Sequence, residues 1–237
     1  MDAQSLSQVA EDAAESGISI KVDGEDGGLV PALKIAALLL LLSLIPALLV
    51  SVTSFARIVI VLGFLRQGLG TQTLPPTQVI VGLSIFLCLF TMSPVLSEVN
   101  EVAVQPYRDG EMNEAEALEA GLEPIREFMG AHTRPEDLTL FVSMTQDSRP
   151  NSFQDVGTAV LVPAFMLSEL KTAFTMGAMI LIPFLIIDLV VASVLMAMGM
   201  MMVPPVMVSL PIKIILFVLA DGWNLVVESL ARSIMGA

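Results

Sequence analysis

Uncharged apolar blocks about as long as a bilayer is thick constrain this chain more than any other feature. Ile35 to Val52 and Val79 to Leu96 each run for 18 residues without a charge. Thr172 to Ser209 carries one charge, Asp188, and a shorter apolar run follows from Ile214 to Ala220. A helix of about 18 or more such residues is long enough to span the hydrocarbon core. In hydrocarbon the backbone must satisfy its own hydrogen bonds, so these blocks are expected to be helical. The two-residue alternation of a membrane barrel is missing. Composition agrees: 55% of residues are hydrophobic and the mean hydropathy is +0.81. The expected fold class is an all-α membrane protein of helical hairpins, with four spans by hydropathy.

Charge divides the chain further. Residues 1–34 hold seven acidic and two basic side chains, and 97–155 hold thirteen acidic side chains against four arginines. The segment 53–78 has Arg57 and Arg66 and no acid. Basic residues in short loops favour the cytoplasmic side. The expectation is therefore that 53–78 faces the cytoplasm and that the N-terminus and 97–155 face outward. The chain falls into an acidic N-terminal segment (1–28), a first hairpin (29–96), a polar acidic insert (97–155) and a second hairpin with a Met-rich loop (156–237). A net charge of −13 argues against nucleic acid, which requires a basic footprint. Residues 1–20 lack the basic and apolar regions of a signal peptide. Either a signal is not part of the sequence as written, or the span at 35–52 directs insertion.

Pro46 is expected to bend the first span. Gly68 to Pro76 reads as a loop, with Pro75-Pro76 opening the next helix. Arg57 and Arg66, nine residues apart, fall on opposite helix faces. Within the insert, Glu111 to Met129 reads as an amphipathic helix broken at Gly121 and Pro124, and Leu138 to Met144 as a short second one. A turn is expected at Arg149-Pro150-Asn151. Pro163 and Pro183 punctuate the second hairpin, whose later arm is expected to run from Val206 to Trp223.

No residue pattern points to catalysis or to a cofactor. His132, the one histidine, has no cysteine or histidine nearby and reads as a solvated surface residue, since a metal needs several ligands. Cys88 reads as a small packing residue within a span. The informative ionisable residues are Arg57, Glu169, Lys171, Asp188 and Lys213, because each lies in or beside an apolar block. A charge in the bilayer costs roughly 2.5–3.5 kcal/mol or more, so it pairs, snorkels or faces water. Arg57 and Lys171 can snorkel. Glu169 and Lys213 are expected to pair, within a subunit or between subunits. Asp188 reads as a polar helix-packing residue, with a proton-sensitive group as the alternative.

Six of the fifteen methionines lie between Met196 and Met207. Met200, Met201 and Met202 are adjacent, and successive helical side chains diverge by about 100°, so the three cannot share a helix face. Between Gly199 and Pro204-Pro205 they suit a projecting loop. Repeated around a ring, such a loop would form a deformable apolar constriction. Packing against a neighbouring helix is the plainer alternative.

Five segments then carry a family resemblance: Ser54-Phe55-Ala56-Arg57-Ile58, Gly68 to Pro76 (GLGTQTLPP), Val162 to Lys171 (VPAFMLSELK), Ile182 to Val190 (IPFLIIDLV) and Met198 to Pro205 (MGMMMVPP). In this order they resemble the FliP family, export-gate proteins of the flagellar type III secretion apparatus, whose injectisome counterparts are the SctR proteins. The similarity covers about residues 35–230. It implies assembly of five copies with FliQ-like and FliR-like subunits into a right-handed helical gate, alongside FlhB-like and FlhA-like export components. It also implies a bacterial inner-membrane location in the flagellar basal body, with much of the chain on the periplasmic side, and unfolded proteins as cargo. The family's methionine constriction maps onto Met200, Met201 and Met202. Its buried intersubunit charges map onto Glu169, Lys213 and Arg57. The first 28 residues match no part of the pattern.

A non-enzymatic channel subunit is therefore the leading expectation, with energy supplied through other components. A small-solute transporter using Asp188 and Glu169 as a proton relay is the first rival. It predicts internal inverted repeats, and none is visible. A scaffold without a pore is the second.

Overall fold

The structure, a computed structural model, describes residues 29–71, 73–145, 155–200 and 202–236. The expectations for residues 1–28, for the turn at Arg149-Pro150-Asn151 and for Met201 lie outside the described residues. All regular elements among the described residues are helical: α1 (Leu29–Val52), α2 (Phe55–Gly68), α3 (Thr77–Thr91), α4 (Ser93–Val99), a π-helical segment (Asn100–Val104), α5 (Gln105–Arg108), α6 (Glu114–His132), α7 (Pro135–Met144), α8 (Thr158–Ala197), α9 (Pro205–Leu219) and α10 (Gly222–Met235).

The chain divides into two compact units, Met1–Pro46 and Ala47–Ala237. The described part of the first is the start of α1, whose stretch Leu33–Val52 is long and apolar enough to cross a membrane. Pro46 lies inside α1 without ending it.

The second unit is organised on α8. Its 40 residues rise about 60 Å, roughly twice the thickness of a hydrocarbon core. The helix continues through Pro163 and Pro183, and neither ends it. Helix α2 lies along α8 and buries Ile58, Val61, Leu62 and Leu65, a helical i, i+3, i+4, i+7 stripe. Opposite them Leu161, Phe165 and Ala173 are fully enclosed. Each large apolar side chain buried here contributes about 1.5–3 kcal/mol. The two helices approach closely at Gly177, where a Cβ would stand 2.2 Å from the Phe64 ring. A larger residue there would displace the Phe64 ring from its place between the helices.

Two bends differ from the sequence expectation. The span expected at Val79 to Leu96 breaks at Met92, and α3 meets the helical run Ser93–Arg108 at 56°. Pro94, near the start of α4, cannot donate to the preceding turn, which places the break there. The arm expected to reach Trp223 ends at Leu219, and α10 leaves α9 at 64° through Asp221, which takes a left-handed conformation. Among the described residues, two helices are long and apolar enough to cross a membrane, or four if each bent pair counts as one span.

In the insert, α6 runs unbroken through Gly121 and Pro124, where two interruptions were expected. A glycine costs a helix about 1 kcal/mol and a proline about 3 kcal/mol. Packing of Phe128 and Met129 against the core, about 1.5–3 kcal/mol each, offsets a cost of that size. The N-terminus of α6 is fixed by a capping box: Asn113 Oδ1 accepts from the amides of Ala115 and Glu116, and the Glu116 carboxylate accepts from the Asn113 amide. One edge-to-face contact, Phe128 on Phe165 at 5.9 Å, ties α6 to α8.

Candidate functional site

Three ionic joints and one methionine turn carry the unusual chemistry of the fold. The first joint is Arg57 of α2 with Glu169 of α8. Arg57 is 3% exposed and Glu169 1%. The guanidinium engages both carboxylate oxygens, Nε donating to Oε2 at 2.8 Å and Nη2 to Oε1. Its remaining nitrogen, Nη1, donates to the Ser233 carbonyl at 2.8 Å and reaches the Ser233 hydroxyl at 3.2 Å. Arg57 thus holds α2, α8 and the last turn of α10 together, where helix carbonyls lack intrahelical partners.

His132 closes the same helix end. Its Nε2 lies 3.0 Å from the Ile234 carbonyl and its Nδ1 lies 2.8 Å from the Phe128 carbonyl. The ring also packs on Phe128, with centroids 4.4 Å apart. This corrects the expectation of a solvated surface histidine. Its position at the end of α6, against α10, makes it a half-buried connector.

The second joint attaches the insert to α8. Asp137 of α7 is buried and accepts from the Ser168 hydroxyl at 2.7 Å and from the Lys171 ammonium. Ser168 in turn accepts from the Arg134 backbone amide at 3.0 Å. Burial pushes the Asp137 carboxyl up, but the hydrogen bonds from Lys171 and Ser168 and the charges of Lys171 and Arg134 outweigh it and hold it below its ordinary value. Because the folded-state value is the lower one, this joint contributes its stability above the ordinary carboxylate pKa and loses it as pH falls through the lowered value. Lys171 does not merely snorkel, although its side chain remains 45% exposed.

The third joint lies between the two arms of the second hairpin. Lys213 of α9 donates to Asp188 of α8 at 2.6 Å and to the Gly68 carbonyl at the end of α2 at 3.1 Å. The Ser209 hydroxyl donates to the other Asp188 oxygen at 2.6 Å. Within the chain, then, the expected Glu169–Lys213 pair is replaced by Arg57–Glu169 and Asp188–Lys213. The reason is distance along α8. Glu169 and Asp188 are separated by about 28 Å of helix rise. Glu169 is level with the start of α2, whereas Lys213 is level with α2's end.

The methionine turn joins α8 to α9. Helix α8 ends in a Schellman motif: the Met200 amide bonds the Leu195 carbonyl and the Gly199 amide bonds the Met196 carbonyl, both at 3.0 Å. Gly199 takes φ +75°, which a side chain would strain. Pro204 and Pro205 then open α9. Met200 and Met202 therefore lie outside the two helices. Met200 is 44% exposed and Met202 98%, so neither is a core side chain.

Sequence reasoning missed Asp137, Ser168, Ser209 and Ser233. Asp137 looked like one more acid of a solvated segment. Ser209 carried a usable signal, since it lies four residues before Lys213 and so shares its helix face.

The FliP family model matches residues 38–230. The flagellar biosynthetic protein FliP of Bacillus subtilis (strain 168) is 54% identical over 200 residues, covering 84% of this chain and 90% of the relative. The protein of that name from Pectobacterium carotovorum subsp. carotovorum is 52% identical over 210 residues, covering 88% and 81%. That of Aquifex aeolicus (strain VF5) is 46% identical over 218 residues, covering 91% and 90%. These names carry no enzymatic activity, and the apolar helices suit a membrane. The chain belongs to the FliP family, as a membrane protein of flagellum biogenesis and protein transport.

Proposed function

We propose that this chain is a core subunit of the flagellar protein export gate and forms part of the channel through which unfolded flagellar proteins leave the cell. The observation that carries this reading is the methionine turn, where the thioethers of Met200 and Met202 are exposed beyond the end of a 40-residue apolar helix. A flexible, uncharged side chain can close around objects of different shape without selecting for sequence. The apolar surface of α8 also suits contact with lipid or with further helices. Phe174, Leu185, Ile186 and Leu189 on it are all exposed. In this reading about five copies associate with FliQ-like and FliR-like subunits in the inner membrane, beside FlhB-like and FlhA-like components, and the acidic insert lies on the periplasmic side. Flagellar rather than injectisome service is supported by the names of the relatives.

Purification from the native host in mild detergent is expected to yield one large complex holding several copies of this chain and small helical-hairpin partners. A lone functional monomer would sink the proposal. Orientation is tested separately. On a Cys88→Ala background, Thr71→Cys, in the loop after α2, is expected to resist a membrane-impermeant thiol reagent applied from outside. Labelling from outside would reverse the assignment of 53–78 to the cytoplasmic face.

A further inference from the structure

We infer that Asp188, Ser209 and Lys213 are positioning residues that set the height of the methionine turn and couple it to the loop that follows α2. This rests on the reading of that turn as the channel's seal.

The argument begins with the seam between α8 and α9. Its buried positions on α8 are Phe184, Val191 and Leu195, and on α9 Ser209, Lys213 and Phe217. Apolar contacts alone define such a seam weakly, because a helix that slides by one turn finds similar partners. The polar groups remove that freedom. Ser209 and Lys213, one turn apart, grip opposite oxygens of the Asp188 carboxylate, both at 2.6 Å. A slip of one turn, about 5.4 Å, breaks both bonds at once. The other acid on α8, Glu169, is already committed to Arg57, and α9 carries no acid. A shifted register would therefore leave Lys213, which is almost wholly buried, without its carboxylate. Setting register is the best-attested role of buried polar contacts in helix packing.

Register matters here because the methionine turn is short. Only residues 198–204 separate the helices, and the Schellman bonds hold Gly199 and Met200 to the end of α8. About 12 Å of helix lies between Lys213 and the start of α9. A displacement of α9 along α8 is thus carried into Met202, on the α9 side of the turn, while Met200 stays bonded to the end of α8. The second bond of Lys213 extends the lock. By donating to the Gly68 carbonyl, the ammonium sits at the negative end of α2, immediately before the loop at 69–76. Movement of the methionine turn and movement of that loop pass through one nitrogen.

The test uses the assembled complex. Lys213→Met alone leaves an unpaired carboxylate, which confounds loss of register with misfolding, so the deciding variant is the double Asp188→Asn/Lys213→Met, which carries no unpaired charge. Two quantities are read: leakage of a small solute through the closed complex, and deuterium uptake in peptides covering 69–76 and 196–206. The triple replacement of Met200, Met201 and Met202 by Ala is run beside it. Losing a hydrogen bond to a charged group shifts an equilibrium by roughly tenfold or more. The double variant is expected to assemble, to leak about tenfold more than wild type and to exchange faster in both loops, with Ser209→Ala showing the same pattern at smaller amplitude. An assembled double variant whose two loops exchange at the wild-type rate overturns the inference, whether or not it leaks. Faster exchange confined to 196–206 overturns the coupling through Gly68. If both loops loosen but the triple methionine variant does not leak, the positioning stands and the seal reading fails.

Discussion

Glu169→Ala is expected to abolish most assembly of the complex, and motility with it. The carboxylate is 1% exposed and is the counter-ion of a guanidinium that is 3% exposed. Its removal leaves Arg57 charged, buried and without an anion. Breaking a buried pair in this way costs about 3–5 kcal/mol, against a net stability of only about 5–15 kcal/mol for a typical domain. The damage would spread beyond one contact, because the same guanidinium holds the Ser233 carbonyl at the end of α10. Arg57→Ala is expected to be as severe, since it leaves the buried carboxylate alone and also uncaps that helix end. The double replacement of both residues by methionine removes both charges and is expected to recover part of the complex. Native gels of detergent extracts, read with swimming assays, decide the matter. Normal complex yield and normal motility in both single variants would show the pair to be dispensable.

The pairing pattern shows where a linear reading stops. Long uncharged blocks announce helices directly, because the cost of a charge in hydrocarbon acts locally and leaves its mark in the order of residues. The same cost identifies Arg57, Glu169, Asp188 and Lys213 as residues that need partners. It does not say which partners, because that depends on how far each charge lies along its helix once α2 and α9 have packed on α8. Glu169 and Lys213 were expected to meet, within a subunit or between subunits; within the chain each pairs with the oppositely charged residue at its own level. The break at Met92 was hidden for a related reason. The run Val79 to Leu96 has no charge to mark an end, and nothing in the sequence distinguishes Pro94 from a proline that a membrane helix tolerates. Prolines at 46, 163 and 183 are in fact tolerated, since they lie within helices that continue past them. Asp137 was invisible in a segment with thirteen acids, because burial of one acid among many is decided by the docking of α7 on α8.

Replacing Met200, Met201 and Met202 by alanine is expected to leave assembly intact and to make closed cells leak small ions and solutes. Assembly should survive because the described side chains contribute little to the fold. Met202 is 98% exposed and Met200 44%. The turn itself is built by backbone bonds at Leu195 and Met196, by Gly199 and by the two prolines, none of which the replacement touches. Leakage follows from geometry. Closed symmetry repeats each loop around one axis, so a small loss of reach in one subunit becomes a gap multiplied by the number of copies. Alanine keeps the apolar character and removes the reach, so the variant separates filling from mere hydrophobicity. Leucine replacements are expected to be intermediate, restoring bulk but not the unbranched flexibility with which methionine adapts to a passing chain. Leakage is measured by uptake of a small solute that wild-type cells exclude, with complex yield measured in the same cultures. Should the alanine variant assemble in full and remain as tight as wild type, the constriction lies elsewhere in the subunit and the methionines serve only to pack against a neighbour.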